Sequence, residues 1–101
     1  MNEHIQYIKT HIPRRAVLEQ AMEEAAEVIR ALSKVIRAEA GGENPTPLTR
    51  EQALDALAEE LTDLDMCLSL LDEFETLIDT GNSPKWKRWA DRLRASERLE
   101  G

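Results

Sequence analysis

Cysteine occurs once in these 101 residues, as Cys67, so no intramolecular disulfide framework holds the chain together. No apolar run is long enough to cross a membrane, and the N-terminus has no secretory apolar core. A soluble, cytoplasmic protein with no membrane partner is the expectation. Basic charge is in deficit: 13 Lys and Arg face 20 Asp and Glu, a formal net charge of −7. That argues against a general nucleic-acid binder, which presents a dominant basic surface. A nucleotide or other polyanion would need a metal ion or local basic residues to bind. There is no glycine-rich phosphate loop, no alternating strand pattern and no low-complexity tract. Aromatic residues are sparse, at 4%.

What is present is helix-forming sequence. Charged residues make up 33% of the chain, with Ala, Leu and Glu prominent. One domain over residues 1–101 is expected. A chain this short buries a modest fraction of its surface, so oligomerisation, as a homodimer or homotetramer, would help to stabilise it. Residues 2–11 read as a short first helix with Asn2 as N-cap, interrupted by Pro13. From Arg14 to about Glu39 neither Gly nor Pro occurs. There Leu18, Met22, Ala25, Ile29, Leu32 and Ile36 recur at spacings of four and three, a stripe near the 3.5-residue repeat of bundles.

Gly41 and Gly42 end that helix, and a loop follows through Pro47. Thr49 and Gln52 predict a capping box. The helix they open is expected to run to about Ile78, with Leu54, Leu57, Leu61, Leu64, Leu68 and Leu71 as its stripe. Gly81 stops it. Ser83 as cap and Pro84 at the first helical position open a last, basic helix carrying Lys85, Lys87, Arg88, Arg92, Arg94 and Arg98. The two long helices are each expected to be roughly 40–45 Å long at 1.5 Å per residue. Short connections make them antiparallel neighbours. The expected fold is therefore an all-α antiparallel bundle with two long central helices, a short N-terminal helix and a basic C-terminal one.

Two acidic words stand out, Glu23-Glu24-Ala25-Ala26-Glu27 and Glu59-Glu60-Leu61-Thr62-Asp63. Each supplies carboxylates three residues apart, and such residues share a helix face. Solvated surface charge is the ordinary explanation of such pairs, because Glu forms helices well. Position on the helical wheel argues otherwise. In the row Ala53, Ala56, Glu60, Asp63, Cys67, Leu70, Phe74 every member is apolar except the two acids. In the row Val17, Ala21, Glu24, Val28, Ala31, Val35 only Glu24 is charged, and Glu27 lies beside it. Carboxylates set into apolar rows are partly buried, which is costly unless they are paired or hold a metal. Glu23 and Glu59 fall toward the polar side and read as solvated. A di-iron carboxylate bundle needs Glu-x-x-His on two helices. Neither acidic word contains His, and His4 and His11 both sit in the first segment. Oxygen ligands without nitrogen favour Mg²⁺ or Mn²⁺.

The ordered set of Glu24-x-x-Glu27, loop, Glu60-x-x-Asp63 and basic helix resembles the MazG-like all-α nucleoside triphosphate pyrophosphohydrolases. The resemblance covers nearly the whole chain. It includes Gln20 one turn before the first motif, Lys34 and Arg37 after it, the loop over residues 42–47, and the ending Lys85-Trp86-Lys87-Arg88-Trp89. It implies a hydrolase acting on phosphoric anhydrides, converting an NTP or dNTP and water to the monophosphate and pyrophosphate. By that resemblance Glu24, Glu27, Glu60 and Asp63 bind Mg²⁺, with Mn²⁺ as a substitute, and carry catalysis. A carboxylate nearby accepts the proton of the attacking water, with Glu23, Glu24 and Glu27 as candidates. Lys34, Lys85 and Arg88 would contact phosphate, the last two from this or a neighbouring subunit. Trp86 and Trp89 are expected to pack against the bundle, and Cys67 to belong to the core.

Two other readings stay open. One is a non-catalytic helical module whose stripes mediate oligomerisation or partner binding. Within enzymes, a phosphoribosyl-ATP pyrophosphohydrolase shares the acidic words.

Overall fold

A computed structural model of the chain describes residues 2–40, 48–74 and 81–100. The described residues form four helices and no strand: α1 (Glu3–His11), α2 (Arg14–Ala40), α3 (Arg50–Ser69) and α4 (Lys85–Glu100). The expected all-α class holds. The loop over residues 41–47, the segment over residues 75–80 and the expected helix end at Ile78 lie outside the described residues.

Local chemistry sets most helix ends. The Asn2 side chain accepts a hydrogen bond from the His4 N–H at 2.8 Å and caps α1. Pro13 separates α1 from α2, and its carbonyl accepts from the N–H groups of Ala16 and Val17 at the start of α2. The expected capping box opens α3. The Gln52 N–H donates to Thr49 Oγ1 at 3.1 Å, and the Thr49 N–H donates to Gln52 Oε1 at 3.0 Å. Thr49→Ala removes one arm of that box and is expected to lower stability by about 1 kcal/mol, read as a lower midpoint in urea. At α4 the Lys85 N–H donates to Ser83 Oγ at 3.2 Å, as the sequence predicts.

The end of α3 differs from expectation. The helix stops at Ser69, not near Ile78, so its 20 residues span about 30 Å. Tight bonds from the Leu70 N–H to the Cys67 carbonyl and from the Leu71 N–H to the Leu68 carbonyl close the last turn. Two ion pairs then hold the turn that follows: Lys9 of α1 with Asp72, and Arg14 of α2 with Glu73. The hydrogen bonds from Lys9 and Arg14 hold both carboxyl groups below their usual range. The unfolded chain therefore takes up these two protons at higher pH than the folded one. The stability these pairs contribute is present above the ordinary carboxylate values and is lost as pH falls through the depressed ones. Accordingly, the stability gap between the wild type and an Asp72→Asn, Glu73→Gln variant should close on acidification, measured by urea titration at stepped pH.

Helices α2 and α3 pack against each other, and no other described pair packs as extensively. They run antiparallel: Arg14 at the start of α2 reaches Glu73, whereas Glu39 near its end accepts from Arg50 Nε at 2.7 Å. The buried apolar residues are Val17, Ala21, Ala31 and Val35 of α2, with Ala53 and Leu71 from the facing segment. Half of these are alanine, which lets the two backbones approach closely but buries little apolar surface. The row of α2 that contains Glu24 therefore faces α3. The larger stripe one residue on stays at the surface, with Leu18, Met22, Ile29, Leu32 and Ile36 all exposed.

The two tryptophans depart from expectation as well. Trp86 and Trp89 are each 57% exposed, and their rings stack on one another with centroids 6.2 Å apart. Residues three apart on a helix meet in this way. Because α4 does not join the α2–α3 pair extensively, the rings find each other before they find the bundle.

Candidate metal centre

The antiparallel pairing of α2 and α3 brings the two acidic words together. Glu24 from α2 and Glu60 and Asp63 from α3 each offer a carboxylate oxygen, and these oxygens all lie within 4.8 Å of one another. Glu24 and Glu60 are half-buried, as their apolar rows predict. Asp63 is exposed, because it sits at the mouth of an open concavity of about 370 Å³ that it lines with Glu24, Met66, Cys67 and Leu70.

Electrostatics mark Glu60 as the strained member. Burial pushes its carboxyl above the usual range, and the charges of Asp63, Glu27, Glu24 and Glu59 push it further in the same direction. The proximity of several like charges is the state that a divalent cation relieves. Glu24 is oriented from its own helix: Gln20 Nε2 donates to Glu24 Oε1 at 2.8 Å. Gln20 and Glu24 are one turn apart, so the amide fixes the carboxylate without adding charge.

Glu27 behaves differently from the other three expected ligands. It is half-buried, but it pairs with Arg30 through two guanidinium nitrogens, with Nε 3.4 Å from Oε2. That hydrogen bond holds its carboxyl below the usual range, and Lys34 adds to the effect. Glu27 is still close enough to raise Glu60, so it borders the cluster without belonging to the converging trio. Arg30 is a countercharge that the acidic words alone do not reveal. Its only signal in the sequence is the spacing of three from Glu27.

The expected phosphate-binding residues divide between two places. Lys34 is exposed on α2, beyond Glu27 and within electrostatic reach of it. Lys85 and Arg88 lie on α4, where with Trp89 and Arg92 they line an open groove of about 500 Å³. Glu23 and Glu59 are exposed, in keeping with solvated charge. Cys67 is half-buried beside the acids. Burial raises its thiol pKa first, and Glu24 and Asp63 raise it further, which disfavours the thiolate.

What the arrangement offers is three carboxylates from two helices, which no His or Cys joins among the described residues, open to solvent on one side and flanked by Arg30 and Lys34. No protein-family model, curated protein or solved structure matches the chain.

Proposed function

We propose that this chain is a Mg²⁺-dependent nucleotide pyrophosphohydrolase that acts as a homo-oligomer. It takes an NTP or dNTP and water to the monophosphate and pyrophosphate. One observation carries the reading: Glu24, Glu60 and Asp63 converge from two helices at a half-open position, with Glu60 raised by burial and by its neighbours.

The donor set fits a hard divalent cation. Mg²⁺ prefers oxygen ligands, keeps several waters and is commonly held by one or two carboxylates together with substrate phosphates. When bound there it supplies charge neutralisation at the phosphates and an activated water. The residues of the chain do the rest. Gln20 orients Glu24. A carboxylate of α2, among Glu23, Glu24 and Glu27, accepts the proton of the water that attacks the α-phosphorus. The bond from the α-phosphorus to the bridging oxygen breaks, and pyrophosphate leaves with the electron pair. Lys34 supplies positive charge beside Glu27 for the leaving phosphates, because charge stabilisation is the main catalytic contribution in this chemistry. Lys85 and Arg88 bring a second basic surface, which needs α4 of this or a neighbouring chain to approach the cluster.

The test is pyrophosphate release across a panel of NTPs and dNTPs with Mg²⁺, Mn²⁺ or EDTA. Release that EDTA removes, with the matching monophosphate as co-product, supports the reading, and the preferred base names the substrate. A panel without release, with no metal response, supports instead the non-catalytic assembly module. The exposed apolar stripe of α2 is the observation that favours this second reading. It further predicts no loss of stability from Glu24→Ala.

A further inference from the structure

Glu24, Glu60 and Asp63 converge, with oxygens within 4.8 Å of one another, and Glu27 does not join them. Yet Glu27 is half-buried and close enough to push the Glu60 carboxyl up. What holds it aside is Arg30. The guanidinium donates to both carboxylate oxygens of Glu27, Nη2 to Oε1 and Nε to Oε2, the latter at 3.4 Å. Helix geometry gives the direction of that pull. At about 100° per residue, Glu24 lies about 60° to one side of Glu27 and Arg30 about 60° to the other. The Glu24 side is the one that faces α3. Arg30 therefore draws Glu27 away from the trio, toward the outer flank of α2.

Arg30 is not packed in place. Its side chain is 62% exposed and that of Glu27 44%, so either can turn without disturbing the helix pair. Arg30 is also not remote from the trio, because the charge of Glu60 acts on it. Four residues on, Lys34 occupies the same flank, as neighbours one turn apart do, and its charge acts on Glu27. One carboxylate and two cations thus stand side by side at the edge of the cluster. A guanidinium fits a phosphate as it fits a carboxylate, through paired N–H groups. Glu27 can therefore be neutralised by Arg30 or by a divalent cation at the trio. Arg30 in turn can be neutralised by Glu27 or by a phosphate beside Lys34.

We propose that Arg30 is a resident countercharge of this site: it holds Glu27 aside in the free protein, and it passes to substrate phosphate, beside Lys34, when Glu27 turns inward to complete the ligand set. This role rests on the proposed metal-dependent reaction and adds a coupling between its two ligands. Whatever draws Arg30 away frees Glu27 for a cation. Whatever draws Glu27 inward frees Arg30 for an anion. By linkage each event favours the other to the same extent. In the free protein the same contact spares the trio a fourth converging negative charge. The contact that must break is a solvated ion pair of small individual value, so the exchange is readily reversible. Arg30 is a positioning residue toward Glu27 and a binding residue toward phosphate.

The test is binding without turnover. Electron paramagnetic resonance reads Mn²⁺ binding to the protein alone, and calorimetry reads inorganic pyrophosphate binding at saturating Mg²⁺. Arg30→Gln is expected to bind Mn²⁺ about two- to fivefold more tightly than the wild type, because Glu27 has no competing partner to release. The same variant is expected to bind pyrophosphate about tenfold more weakly. A substitution that merely damaged the helix would weaken both, so the opposite signs mark the exchange. Arg30→Lys keeps the charge without the fork and is expected to fall between the two. Glu27→Gln removes the acid through which Arg30 acts, so adding Arg30→Gln to it should change Mn²⁺ affinity much less. Unchanged Mn²⁺ affinity in Arg30→Gln overturns the proposal and leaves the metal site standing. So does a gain of equal size in the Glu27→Gln background, which would be the effect of charge at a distance. Pyrophosphate binding indifferent to Arg30→Gln overturns the transfer to phosphate. If neither the wild type nor Arg30→Gln binds Mn²⁺, the proposed function falls, and this role with it.

Discussion

Glu60→Gln is expected to lower metal-dependent turnover by about a hundredfold or more while leaving α2 and α3 paired. The amide keeps the shape of the carboxylate and removes its charge from the middle of the cluster. In the folded chain that charge is opposed by burial and by Asp63, Glu27, Glu24 and Glu59. Removing it relieves repulsion, so without metal the variant should unfold at a higher temperature than the wild type. Activity and stability therefore move in opposite directions. This separates a ligand from a residue that merely supports the fold, whose loss would lower both. Steady-state rates and thermal unfolding in EDTA, on the same preparation, read the two effects. Activity retained within a few-fold of wild type would remove Glu60 from the chemistry and the proposed function with it.

Magnesium is expected to raise the melting temperature of the wild type and to leave that of Glu60→Gln or Asp63→Asn nearly unchanged. A ligand bound only by the folded state stabilises it by about 1.4 kcal/mol when present at tenfold its dissociation constant. For a chain of this length that corresponds to a shift of roughly 5–10 °C. The protein concentration must be held fixed, because an oligomer melts at a concentration-dependent temperature. Glu24, Glu60 and Asp63 bring three carboxylates within 4.8 Å, so a cation between them removes mutual repulsion as well as gaining ligands. A shift of equal size in the wild type and the variants would place the binding elsewhere on this acidic chain.

Local signals carried most of the helix pattern. Asn2, the Thr49–Gln52 box and Ser83 act within a few residues of themselves, so their chemistry is legible before any tertiary contact is known. The convergence of Glu24 with Glu60 and Asp63 was legible for a related reason: an acid within an apolar row is out of place, and two helices share the irregularity. What the spacing left open is which apolar row of α2 faces α3. Both rows have helical period. The one with Ala21 and Ala31 went inward because small side chains, with Ala53 opposite, allow close approach of the helices. The larger side chains stayed outside. The early end of α3 has no Gly or Pro to announce it. It accompanies ion pairs from Lys9 and Arg14, about sixty residues away in sequence. The Arg30–Glu27 pair is written in its spacing of three, but the same spacing is common on solvated helix faces and does not by itself mark a pair.

In the proposed reaction a carboxylate cluster directs water to the α-phosphorus of a nucleotide. Hydrolysis of the preferred NTP or dNTP in ¹⁸O-water, with the products separated and weighed by mass spectrometry, tests that claim most directly. The predicted result is one ¹⁸O in the monophosphate and none in the pyrophosphate, with no turnover in EDTA. Label in pyrophosphate or release of orthophosphate would contradict it. So would turnover that persists without a divalent metal.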